Sequence, residues 1–313
     1  MTDARVADQT RRTILVTGAT GGVGFFASLQ LAQAGARVVV TGRNPTRVAA
    51  ALRGIRHLSP GADVLGHRLD TADLGQIPEV AADILEKTDG QLHGLVTNAG
   101  ITMPPKAREV TDEGHERVIA TNALGHFVLG ASLLPALVAS AAARGRDGRI
   151  VWLGSLSTGI GRYDPVDLEL VHGYSAWRAY VQSKVVVQAL GFEAAGRLAA
   201  HGVPVESVVA HPGYALSGRD RRIPGINEPT KRERFIDELQ ASFTQSKERG
   251  AWPIVHAMTS PEVHTGEFWG PAAHIKGTPK QATPAALTTD PGIRGRIWRD
   301  CVAATGVDWS IGK

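Results

Sequence analysis

Short β-branched and aliphatic runs alternate with longer amphipathic stretches along most of the chain. Thr13–Thr17, Arg37–Thr41, Asp63–Leu69, Leu92–Thr97, Arg149–Gly154 and Val203–Ala210 read as six strands. Helical stretches lie between them: one from a glycine-rich turn to about Gln33, then Thr46–Leu52, Asp73–Lys87, about Glu113–Ala143, and Ala176–Ala200. Strand–helix alternation of this kind builds a parallel sheet with helices on both faces. The expectation is an α/β, Rossmann-type doubly wound sheet forming one domain over residues 13–313, behind a polar N-terminal tail of residues 1–12. On such a sheet ligands bind beyond the carboxyl ends of the strands, where strand order reverses.

After about Tyr214 the alternation lapses. Ser217–Arg234 is rich in charge, Pro and Gly, and Phe235–Lys247 reads as a short helix. Phe268–Ile293, rich in Pro, Thr and Ala, reads as an irregular surface excursion, and Ile297–Ala304 as a closing helix. Phe127–Ala143 carries no charge but contains Gly130, Ser132, Pro135 and Ser140 and falls short of a bilayer span. It reads as a core helix.

Composition narrows the function classes. The 313 residues are 43% hydrophobic, enough for one large core. The net charge of +4 comes from scattered groups, with short basic clusters only at Arg219–Arg222 and Lys231–Arg234. Nucleic-acid binders concentrate basic residues on a face or tail, so no nucleic-acid partner is expected. Cys301 is the only cysteine, which excludes an intrachain disulfide and suits a reducing compartment. Residues 1–12 lack the apolar core of a signal peptide. A cytoplasmic protein with no membrane partner is expected, and a homo-oligomer is compatible with this reading. The eleven histidines are dispersed, so no metal site is expected, and His126, His211 and His256 read as structural.

The first candidate chemistry comes after the first strand: Thr17-Gly18-Ala19-Thr20-Gly21-Gly22-Val23-Gly24. Glycines let a backbone turn sharply and approach a pyrophosphate, while the next helix offers free N–H groups and a positive dipole. Thr17, Gly18, Thr20, Gly22, Val23 and Gly24 are therefore candidate cofactor contacts. Thr41-Gly42-Arg43-Asn44 ends the second strand, and no Asp or Glu lies between Val38 and Arg47. An acid there would hold a ribose 2′-hydroxyl, whereas an arginine accommodates a 2′-phosphate. Arg43, with Arg47 as a second candidate, points to NADP(H).

Tyr180 and Lys184 are four apart on an expected helix, which puts phenol and ammonium on one face. A free tyrosine titrates near ~10, so a cation beside it favours the phenolate. Ser155, after the fifth strand, is placed to donate a hydrogen bond to a substrate oxygen, and Ser157 competes for that role.

Together these motifs resemble the short-chain dehydrogenase/reductase family from about Thr13 to Gly270. The glycine turn appears as Thr17, Gly18, Gly22 and Gly24, and the catalytic serine, tyrosine and lysine as Ser155, Tyr180 and Lys184. The resemblance implies further roles: Asp70 at the adenine, Asn98-Ala99-Gly100 after the fourth strand, Asn122 as the helix asparagine of the catalytic tetrad, and Pro212-Gly213 after the sixth strand. It also implies cofactor contacts from Tyr180 and Lys184. Within the family, Thr-Gly-Arg-Asn, the Gln-Ser-Lys context and His211-Pro212-Gly213 resemble the retinol-dehydrogenase-like and protochlorophyllide-reductase-like branch. The activity implied is that of an NADP(H)-dependent oxidoreductase moving hydride between the nicotinamide and a hydrophobic ketone, aldehyde or secondary alcohol. Residues 214–252 would form a flap over the substrate, with the Phe235/Leu239/Phe243 stripe facing either the cleft or the core. The rival reading is an inactive NADP(H)-binding regulator on the same fold.

Overall fold

The computed structural model describes residues 6–145 and 148–311. The six expected strands form with their ends shifted by one or two residues. They are β1 (Thr13–Val16), β2 (Arg37–Gly42), β3 (Val64–Arg68), β4 (Gly94–Thr97), β5 (Gly148–Leu153) and β6 (Val205–Ala210). Alternate residues serve opposite faces, as the two-residue period of a strand requires. Ile14 and Val16 join one buried cluster and Leu15 the other; Val38 and Val40 likewise oppose Val39. On the first face pack α1 (Gly22–Gln33) and α2 (Pro45–Leu58). α2 outruns the expected Thr46–Leu52 because Ile55 continues the buried stripe of Val48 and Ala51 past Gly54.

The opposite face is covered by α3 (Ile77–Lys87) and by a long helix in three parts. This helix consists of α4 (Arg117–Ile119), a π-helical turn (Ala120–Leu124) and α5 (Gly125–Arg144). Residues Arg117–Ala143 are long and apolar enough to cross a bilayer, but 61% of an apolar 18-residue stretch within them is buried inside the fold. α6 (Ala176–Ala200) has the expected bounds and carries Tyr180 and Lys184.

The flap region holds the two-stranded β7 (Ala215–Leu216) and β8 (Gln245–Ser246), with α7 (Lys231–Leu239) between them and α8 (Lys247–Gly250) after. α7 starts earlier than the expected Phe235 because Thr230 and Glu233 form a capping box. α9 (Trp252–Thr259) returns to the first face of the sheet.

The expected irregular excursion contains two further strands, β9 (Phe268–Pro271) and β10 (Pro279–Gln281), before α10 (Ala286–Thr289) and α11 (Pro291–Thr305). β9 pairs parallel with β6, its Phe268 is buried and Trp269 packs on the core. α11 starts ahead of the expected Ile297 because Asp290 accepts from the Ile293 N–H and Pro291 fits its first turn.

The sheet order is β10-β9-β6-β5-β4-β1-β2-β3, parallel throughout except for β10. Chain direction across the sheet reverses between β1 and β4, and the cleft opens at their carboxyl ends. The described part of the tail is tied down rather than loose: Gln9 and Arg12 are buried, and Arg12 donates to the Gln9 side chain at 2.7 Å. Residues 1–5 of that tail lie outside the described residues.

Candidate active site

A cleft of about 1440 Å³ runs along the carboxyl edge of the sheet. It is lined by Gly18, Thr20, Gly22, Val23 and Gly24 from the turn, Arg43 and Arg47 beyond β2, and Asp70 beyond β3. Asn98, Ala99 and Gly100 extend the lining from β4, then Ser155, Tyr180, Lys184, Pro212 and Gly213. Every expected site residue except Thr17, Asn122 and the alternative serine Ser157 therefore faces one cavity.

The glycine turn is held by contacts that tolerate no side chain. A Cβ on Gly18, which adopts φ +62°, would stand 2.6 Å from the Ala99 Cα. One on Gly24 would stand 2.3 Å from the Asn98 Nδ2. That amide donates instead to the Thr17 carbonyl at 2.7 Å, so Asn98 locks the turn to β4. Gly22, at φ +58°, is different: the nearest atoms to its absent Cβ, at 3.7 Å, belong to the Lys247 side chain. α1 begins there with no side-chain cap, leaving its first N–H groups for a ligand. A turn open at Gly22, an uncapped helix start and nearby cations suit the diphosphate of a dinucleotide.

Behind the turn, the Thr17 hydroxyl accepts from the Ala99 N–H and lies 2.9 Å from His126 Nε2. His126 Nδ1 lies 2.8 Å from the Asn122 carbonyl, which can only accept, so Nδ1 carries the proton and Nε2 accepts from Thr17. Burial lowers the His126 pKa to about 4, which keeps the ring neutral. Asn122 lies in the π turn, where the ordinary helical bonding is broken. Its Oδ1 accepts from the Ile101 N–H at 2.7 Å, and its Nδ2 donates to Ser183 Oγ at 2.9 Å.

At the other end of the cleft the Tyr180 hydroxyl donates to Ser155 Oγ at 3.2 Å. Ser157 lies one step further back and donates its own hydroxyl to Ser155 at 3.0 Å. Gln188, one helical turn beyond Lys184, fixes the Ser155 carbonyl at 2.7 Å. Burial raises the Tyr180 pKa, partly offset by the Ser155 hydrogen bond, so the phenol holds its proton at neutral pH. Lys184 is buried, its pKa is lowered to about 8, and its Nζ donates to the Leu153 carbonyl at 2.8 Å. In this geometry the lysine by itself does not draw Tyr180 toward the phenolate. A proton-bearing Tyr180 is suited to deliver that proton to a carbonyl oxygen.

Met103, Trp177, Tyr214 and Leu216 add apolar and aromatic lining to the cleft. Trp177 lies 6.3 Å from the Tyr180 ring, centroid to centroid. Phe235, Leu239 and Phe243 line neither the cleft nor the core: they are 66%, 70% and 66% exposed. α7 turns Glu233 and Asp237 toward the cleft instead. The flap rests on α2 through Ile226, whose Cδ1 lies 2.4 Å from where a Cβ on Gly54 would stand, and Ile223 is buried in the same core cluster.

His211 is buried against Phe268, and His256 packs on Trp269. Among the described residues no group of three or more His, Cys, Asp or Glu could hold a metal ion. Cys301 is buried in the core, which raises its pKa. Sequence reading missed Gln188 and Lys247, whose places depend on helix register and on a flap with no motif of its own.

This architecture defines a dinucleotide-binding oxidoreductase scaffold. The short chain dehydrogenase family model matches residues 12–223, and the chain belongs to that family. It is 35% identical over 299 residues to the polyprenol dehydrogenase of Mus musculus, covering 95% of this chain and 85% of that one. It is 30% identical over 300 residues to retinol dehydrogenase 13 of Homo sapiens, again covering 95% and 85%. Among solved structures, an uncharacterised protein from Mycobacterium paratuberculosis superposes with a TM-score of 0.78 at 27% identity, covering 99% of this chain and 98% of that one. The chain is thus a short-chain oxidoreductase related to retinol and polyprenol dehydrogenases, with a family-type NAD(P)(H) site.

Proposed function

We propose that the protein is an NADP(H)-dependent oxidoreductase acting on hydrophobic ketones, aldehydes or the corresponding alcohols. One observation carries this reading: a single cleft is cationic where β2 ends and apolar around Tyr180 and Ser155. Arg43 and Arg47 stand at the cationic end with no carboxylate between Val38 and Arg47. A guanidinium grips a phosphate dianion through paired hydrogen bonds, whereas a carboxylate would repel it. The names of the related polyprenol and retinol dehydrogenases point to long apolar alcohols, in agreement with the Met103, Trp177 and Leu216 lining.

When bound, the dinucleotide would supply the hydride, and the protein the proton and the orientation. Tyr180 donates its proton to the carbonyl oxygen as negative charge develops there. The Ser155 Oγ accepts from Ser157, which leaves its own proton for the same oxygen once the Tyr180 hydroxyl turns from Ser155 to the substrate. The Lys184 ammonium, one helical turn along α6, would offset the negative charge left on the phenolate. Asn122 holds the segment after β4 against α6 through Ile101 and Ser183, fixing the floor of the pocket.

The test is cofactor choice together with substrate polarity. NADPH should be used in preference to NADH, and kcat/KM should rise with the apolar length of the carbonyl substrate. Arg43→Ala should raise the KM for NADPH about 10- to 100-fold, the worth of one charge-assisted contact, and leave NADH nearly unchanged. Equal use of both dinucleotides by the unaltered protein would overturn the NADP(H) assignment. Flat kcat/KM across chain length would overturn the apolar substrate.

A further inference from the structure

Lys247 brings a cation to the cleft from the far side of the flap. Its Cδ and Nζ each lie 3.7 Å from where a Cβ on Gly22 would stand. An Arg47 guanidinium nitrogen lies 3.3 Å from the matching point on Gly21. Two cations therefore stand beside the turn at the uncapped N-terminus of α1, which is itself a positive pole. Three positive groups in one place are mutually repulsive until an anion joins them.

The nearby carboxylates are engaged elsewhere. Asp220 accepts from the backbone N–H groups of Lys247 and Glu248 at 2.9 and 3.0 Å. Asp237 Oδ2 accepts from the Gly218 N–H at 2.7 Å. Both attract the Lys247 ammonium from a distance, yet burial outweighs them and lowers its pKa. Among the described residues neither forms an ion pair with it, so the ammonium is largely withdrawn from water with no carboxylate in direct contact.

We propose that Lys247 clamps the dinucleotide diphosphate from the flap side, so that cofactor binding fixes the flap before substrate enters. This rests on the reading that the glycine turn holds a dinucleotide. The backbone around Lys247 transmits the effect. Its N–H is held by Asp220, whose carbonyl accepts from Arg234 of α7 at 3.2 Å. The preceding Gln245–Ser246 strand pairs with Ala215–Leu216, and the Gln245 side chain donates to the Pro212 carbonyl at 2.8 Å. Pulling the lysine onto an anion at Gly22 therefore fixes both ends of the flap and α7 with them. Because NADH and NADPH share the diphosphate, the clamp serves both; Arg43 would serve only the 2′-phosphate.

Calorimetric titration of the wild type, Lys247→Met and Lys247→Arg with NADPH and with NADH tests this, alongside digestion by an arginine-specific protease with and without dinucleotide. Lys247→Met should melt like the wild type, since the Asp220 bonds are to backbone. It should bind both dinucleotides about 10- to 100-fold more weakly, and at saturating dinucleotide it should lose the cofactor-dependent protection of Arg221, Arg222 and Arg232. Lys247→Arg should restore most of the affinity and the protection. Wild-type protein that bound neither dinucleotide would overturn the cofactor reading itself. Tight wild-type binding matched by Lys247→Met would overturn the clamp alone. A loss confined to NADPH would also overturn it, by moving the lysine to the 2′-phosphate.

Discussion

The two walls of the cleft are built on opposite principles. On the cofactor wall, Thr17, Asn122 and His126 are almost wholly buried, and the turn is packed so closely that added Cβ atoms at Gly18 or Gly24 would collide with the Asn98–Ala99 segment. On the flap wall, α7 has no buried residue, and it is held by side-chain caps, such as Thr230 with Glu233, facing solvent. Chemistry common to many substrates sits where almost no side chain can change. The surface of α7, exposed at Phe235 and Leu239, is far less constrained.

The largest effect expected from either wall is loss of the proton donor. Tyr180→Phe removes one hydroxyl, which donates to Ser155, so fold and dinucleotide affinity should persist while kcat falls by ~10²–10⁴-fold, the usual worth of a positioned acid–base group. Stopped-flow kinetics alongside dinucleotide titration separates the two. A variant retaining more than about a tenth of wild-type kcat would place the proton donor elsewhere.

Acid should strike the packed wall next. Burial lowers the pKa of both His126 and His211 to about 4, against an ordinary 6.5. The unfolded chain then takes up protons first as pH falls, so stability is present above about 6.5 and is lost progressively toward 4. Each ring should forfeit on the order of 2 kcal/mol between pH 7 and pH 5. Urea unfolding at the two pH values measures the sum; equal midpoints would show that these rings are protonated in the folded protein. On the flap, the Glu228 and Glu233 pKa values are lowered by hydrogen bonds chiefly to the Gly225 and Thr230 backbone. Those carboxylates, held below their ordinary 4.5, stay ionised between pH 7 and pH 5.

The smallest effect should come from the exposed stripe. Phe235→Ser with Leu239→Ser should change unfolding free energy by less than ~0.5 kcal/mol, as for most surface substitutions away from special features. If long apolar substrates brush α7 on entry, kcat/KM should fall for those substrates and not for short ones. A large loss of stability would mean that these side chains are covered in solution.

The same contrast explains which parts of the molecule are legible in its sequence. Runs such as Val38-Val39-Val40 and Ile150-Val151-Trp152 announce strands because both faces are buried, so nearly every position must be apolar. The glycine turn and the Tyr180–Lys184 spacing are legible because their geometry is local. β9 is not legible: Phe268-Trp269-Gly270-Pro271 is short, ends in proline and becomes a strand only because β6 offers an unpaired edge. Gly270 is itself dictated from a distance, since a Cβ there would stand 1.9 Å from His211 Nε2. The start of α7 is encoded by Thr230 and Glu233 but masked by the apolar spacing beyond them. Lys247 carries no signal, because its meaning depends on a fold that brings it back over Gly22.

The antiparallel strand at the end of the sheet also bears on how molecules meet. β10 is only three residues long, opens with Pro279 opposite Pro271, and presents Lys280 and Gln281 as its remaining positions. A proline lacks the N–H that a neighbouring strand would need, and a charged, very short edge discourages a foreign strand from docking. Along this border the sheet is closed to strand-by-strand growth, so any strand-to-strand association between copies would have to use the opposite border at β3.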